Sequence, residues 1–121
     1  RLKICEVLFD TEKTFHFTIN DLVKIIREKL SQKISLATVY NTVHAFKKKG
    51  YLKEISINSD KNYFDTNTSI HHHFYDEDTN ELIDCDVDAI DSVYVKNNIT
   101  GKKINSVEVL IKVASDNQNQ N

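Results

Sequence analysis

The chain has 121 residues, 40% hydrophobic and 28% charged, with a formal net charge of −2. That suffices for one ordinary domain or two very small ones. No apolar run approaches the ~20 residues of a membrane span and no secretory signal precedes the first helix-like segment; the two cysteines form no CxxC pair, so neither a four-cysteine zinc site nor a disulfide framework is expected. A cytoplasmic protein is expected. The net charge conceals an asymmetry: residues 1–55 sum to +5 and residues 56–121 to −7. Such a split is expected when one part meets phosphate and another holds cations.

In chain order, Leu2, Ile4, Cys5, Leu8 and Phe9 fall at near-helical spacing. They predict a helix whose N-terminal context is missing, since the chain opens at Arg1 without an initiator methionine. Residues 11–17 read as a loop holding His16. Thr18 then precedes Ile19, Leu22, Val23, Ile26 and Leu30, an amphipathic helical run. Thr18 is the expected N-cap, with Asp21 completing a capping box. Residues 35–50, SLATVYNTVHAFKKKG, predict a second helix between an N-cap at Ser35 and a stop at Gly50. Its apolar stripe is Leu36, Val39, Tyr40, Val43 and Phe46. The opposite face carries Thr38, Asn41, Thr42, Ala45 and Lys48, all small or polar. This is either the recognition helix of a helix-turn-helix or an ordinary surface helix with a solvated lysine end. In the first reading Ser35, Thr38, Tyr40 and Asn41 approach bases or phosphates, and Lys47, Lys48 and Lys49 meet phosphate. Residues 52–57 and 61–65 read as strands about an Asn58-Ser59-Asp60 turn, a hairpin in the place of a wing.

Residues 66–70 read as a hinge. Beyond it stand three consecutive histidines, His71, His72 and His73. In a strand, His71 and His73 face one way and His72 the other. Imidazole is the commonest metal ligand, although a solvated polar run has the same composition. Residues 71–75 and 81–85 predict strands, 86–97 a helix with Val87, Ile90, Val93 and Tyr94 inward, and 104–113 a half-buried strand. Residues 114–121 read as a disordered tail. The order β-β-α-β over 71–113 makes a small α/β unit whose last strand has an edge open to a second copy.

SLATVYNTVHAFKKKGYLKEI, then YFDTN, then HHH, resembles the ferric uptake regulator family over most of the chain. FDTNTSIHHHF is most similar to its iron response regulator branch. The resemblance implies an α+β fold: a winged-helix DNA-binding domain over 1–65 and a dimerisation and metal-sensing domain over 71–113. It implies metal-dependent control of iron homeostasis genes by a homodimer bound to duplex DNA. Fe, Mn or Zn is the implied metal. In the branch haem is the signal, with haem or a haem-delivering enzyme as a further partner. Residue by residue, a hinge site falls on His16, Asp65, His72 and Asp84, and a second site on His71, His73 and Asp91. Further family histidines fall on Phe74 and near Val107, which offer no imidazole. The Cys-Pro haem motif of some branch members is absent, leaving the triplet as the haem candidate. A metal-dependent enzyme and a metal-buffering protein are the competing readings. No nucleophile-base pair supports the enzyme, and the winged-helix pattern disfavours the buffer.

Overall fold

The computed structural model describes residues 2–31, 33–86 and 88–116. They fall into two units, Arg1–Thr68 and Ser69–Asn121. The first runs α1 (Leu2–Phe9), β1 (His16–Phe17), α2 (Ile19–Leu30), α3 (Leu36–Lys48), β2 (Lys53–Asn58) and β3 (Lys61–Asp65). At α2, the Asp21 N–H donates to Thr18 Oγ1 and the Thr18 N–H donates to Asp21 Oδ2, each at 3.1 Å. These two bonds satisfy backbone donors that no helical turn can reach. α3 begins at Ser35, whose hydroxyl accepts from the Thr38 N–H at 3.1 Å. Its end is a Schellman turn: Gly50 sits at φ 84°, Tyr51 N–H reaches the Phe46 carbonyl and Gly50 N–H that of Lys47. The Phe46 and Tyr51 rings meet edge-on at 6.4 Å, the apolar contact that accompanies this motif.

The helices bury one core: Ile4 and Leu8 from α1, Leu22, Val23 and Ile26 from α2, and Val39 and Val43 from α3. Phe17, Leu52 and Phe64 join them from the sheet side. Each such side chain contributes roughly 1.5–3 kcal/mol. The stripe expected on α3 is rotated. Leu36 and Tyr40 are exposed, and Thr42, expected on the polar face, is buried. Its hydroxyl donates to the Thr38 carbonyl at 2.8 Å, the i−4 bond that lets a threonine be buried in a helix.

β3 lies between β1 and β2, antiparallel to both. β2 and β3 are the expected hairpin, closed at Ser59-Asp60, where the Asp60 N–H donates to Asn58 Oδ1. β1 is not foreseen: residues 16–17 read as loop, yet they pair with β3 in the register His16 to Asp65 and Phe17 to Phe64. Two residues are too few to show a period.

The second unit holds β4 (His73–Asp76), β5 (Glu81–Asp84) and β6 (Leu110–Val113), in the order β5-β4-β6. β4 and β5 form an antiparallel hairpin, and β6 returns parallel to β4. Tyr75, Leu82 and His73 are its buried side chains. The strand expected over 71–75 begins only at His73, so the first two histidines precede it, and the last strand, expected over 104–113, is confined to Leu110–Val113. The helix expected over 86–97 is absent from the described residues there; only one turn closes, Ala89 N–H to the Asp86 carbonyl. Tyr94, expected inward, is 85% exposed. A helix this short forms only when its apolar face packs, and Val93 and Tyr94 of that face are exposed. Val87 and residues 117–121 of the expected tail lie outside the described residues. No described helix is long and apolar enough to cross a membrane.

Candidate metal centre and nucleic-acid interface

The β4–β5 register sets His73 opposite Asp84. Directly opposed residues of an antiparallel pair share a face, about 5 Å apart at Cβ. His71, two residues earlier, lies on the same side, its ring 4.3 Å from that of His73 between centroids. Nε2 of His71 and Nε2 of His73 both point at Asp84 Oδ1, at 3.4 and 3.1 Å. Each of the three residues offers a ligand atom within 4.8 Å of the others. His73 is buried, His71 half-buried, and the carboxylate opens to solvent.

The tautomer of His71 follows from its other nitrogen. Nδ1 lies 2.8 Å from the Ser69 carbonyl. A carbonyl only accepts, so Nδ1 carries the hydrogen. In the neutral ring Nε2 is then a lone pair facing a carboxylate. A metal cation placed there would be met by both donors. Histidine metal ligands ordinarily have this support, the far ring N–H held by a carbonyl while the near nitrogen binds.

His72 faces away, as alternation requires. The Val109 N–H donates to its Nδ1 at 2.9 Å, and its own carbonyl accepts from the Cys85 N–H. The expected grouping is therefore redrawn. His72 does not join Asp84, because the register puts the Asp84 side chain on the face of His71 and His73. Asp91, expected beside those two, is exposed in the irregular segment and outside the cluster. His16 and Asp65 stand opposite each other across β1 and β3 of the first unit, with Asp65 fully buried. Asp65 Oδ1 accepts the Asn67 N–H at 2.9 Å. Cys85 follows Asp84, but burial and the neighbouring charges of Asp84 and Asp86 push its thiol pKa up. A thiol held protonated is a poor ligand, so the donor set is imidazole and carboxylate. That set suits Zn, Mn or Fe.

On α3, Thr38, Tyr40 and Asn41 are exposed. The Ser35 hydroxyl is occupied by capping and lies 2.7 Å from the Thr38 hydroxyl. Tyr40 leans on His44 at 4.2 Å between ring centroids, and His44 meets Phe64 edge-on at 5.4 Å. From sequence His44 reads as helix flank; the i, i+4 spacing from Tyr40 was the available signal. Lys48 and Lys49 are exposed. Lys47, expected to reach phosphate, instead pairs with Glu54 of β2. Sequence reasoning passed over Glu54 altogether.

The sequence profile of the Ferric uptake regulator family matches residues 1–113. The chain is 31% identical over 90 residues to the Peroxide operon regulator of Bacillus subtilis, an alignment covering 74% of this chain and 61% of that protein. The chain thus spans about three-fifths of that relative's length. Among solved structures, the ferric uptake regulator of Vibrio cholerae superposes with a TM-score of 0.69 at 24% identity, over 94% of this chain and 87% of that one. The ferric uptake regulator of Pseudomonas aeruginosa, solved with manganese, gives 0.64 at 20%, over 94% and 85%.

Proposed function

Because this chain belongs to the ferric uptake regulator family, we propose that it is a cytoplasmic, metal-responsive transcription regulator that binds duplex DNA as a homodimer. Family membership displaces the enzyme and metal-buffer alternatives. The observation that carries the reading is the convergence of His71 and His73 on Asp84, with the His71 tautomer set by Ser69. In this reading the first metal ligands are His71, His73 and Asp84, and Fe, Mn or Zn is the metal. His16 and Asp65, facing each other across β1 and β3, supply a separate imidazole and carboxylate pair within the first unit. Asp65 supports this by its burial. Metal binding shifts the population toward the DNA-binding conformation. Thr38, Tyr40 and Asn41 read bases or phosphates, and Lys48 and Lys49 hold phosphate.

The test is fluorescence anisotropy of a labelled duplex library, with metal removed by chelator and then restored. Metal-enhanced binding is expected; binding indifferent to metal contradicts the reading. The signal is the finer question. Peroxide is one candidate, named by the Bacillus subtilis relative. Haem, with placement in the iron response regulator branch, is another, resting on the FDTNTSIHHHF likeness. His71, His72 and His73 would be the residues to hold haem, and haem there would compete for the metal ligands, so haem titration should release metal and give a Soret band that a triple His→Ala variant loses.

A further inference from the structure

Among the described residues, Glu54 is the carboxylate that meets the lysine run of α3. Its Oε1 lies 2.5 Å from Lys47 Nζ. Its Oε2 accepts from Asn62 Nδ2 at 3.1 Å, and Asn62 Oδ1 accepts from the Ser56 hydroxyl at 3.1 Å. Both carboxylate oxygens are thus engaged, one by the helix end and one by the wing. Glu54 is only 20% exposed. An ordinary surface ion pair is weak because two long side chains must be immobilised together. Here the wing already holds one of them, so less entropy is lost when the lysine docks. All three lysines are exposed, Lys47 at 43% of its side chain, but no ion pair holds Lys48 or Lys49 among the described residues.

We propose that Glu54 withholds Lys47 from DNA phosphate, acting as a built-in brake on sequence-independent duplex binding. The proposal rests on the DNA-binding reading above. Non-specific affinity comes almost wholly from cations that displace counterions, each phosphate contact adding about −0.9 to the slope of log K against log salt. A lysine already neutralised contributes nothing to that slope. The brake leaves base readout by Thr38 and Asn41 untouched, so it widens the ratio of specific to non-specific binding.

The experiment measures random-duplex affinity against salt for the metal-loaded protein and for Glu54→Gln, Lys47→Ala, Lys48→Ala and the Glu54→Gln/Lys47→Ala double variant. Melting curves establish that each is folded. Glu54→Gln keeps the shape and removes the charge, freeing Lys47. It should steepen the slope by about 0.9 and tighten random-duplex binding roughly fivefold to tenfold at 0.1 M salt. Lys47→Ala should leave the slope unchanged, while Lys48→Ala should flatten it by about 0.9. In the double variant the slope should return to that of wild type. If the double variant keeps the tighter binding, Glu54 acts by its own repulsion of phosphate, and the proposal fails. It fails equally if Lys47→Ala flattens the slope as much as Lys48→Ala. Absence of duplex binding in wild type overturns the regulatory reading itself, and this proposal with it.

Discussion

His71 has its tautomer decided by a backbone carbonyl, and that single hydrogen bond separates it from His72. His71→Ala or His73→Ala should weaken metal binding at least roughly 10–100-fold, the cost of losing even a supporting residue at a metal site. His72→Ala should leave metal affinity nearly unchanged. It removes the acceptor of the Val109 N–H and should lower stability by about 1 kcal/mol. Isothermal titration with Mn²⁺ and a urea melt distinguish the two. On α3, Asn41→Ala should lose about 1–3 kcal/mol on the operator and little on random duplex; equal losses on both contradict base readout. The alternation of the triplet is legible in the sequence. Which face Asp84 shares is not, because a one-residue change of register moves every side chain to the other side. Neither is the Lys47–Glu54 pair, since a charge on a strand does not announce its partner on a helix.

The helices of the first unit are the most legible elements, because their ends carry local chemistry. Thr18 and Asp21 write the start of α2, and Ser35 and Gly50 bracket α3. Thr18→Ala should cost about 1 kcal/mol, read as a lowered melting temperature. Gly50→Ala meets no atom within 4 Å, so its cost is purely that of a positive φ, about 1–2 kcal/mol. A melting temperature unchanged in either variant contradicts the capping account. The fine rotation of α3 is less legible. Hydrophobicity ranks Leu36 and Tyr40 as core and Thr42 as surface, and packing reverses all three. The helix expected over 86–97 fails for a different reason: its spacing is right, but Val93 and Tyr94 are left exposed rather than packed.

The whole molecule leaves that spacing unspent. Val93, Tyr94, Val95 and Ile99 are exposed, and β6 is an edge strand. A second copy would cover both, so sedimentation should show a dimer at micromolar concentration, with helical content rising on dilution-to-concentration titration by circular dichroism. A monomer of constant helicity contradicts the homodimer. The division of the chain into a basic and an acidic half is visible in composition, but composition does not locate the few ligand atoms of the metal centre. Metal should therefore act on DNA through His73 and not through His72. The direct measurement is operator affinity with and without Mn²⁺ for wild type, His73→Ala and His72→Ala. The account predicts that metal tightens binding in wild type and His72→Ala, while His73→Ala stays at the metal-free level. A full metal response in His73→Ala, or its loss in a folded His72→Ala alone, would contradict it.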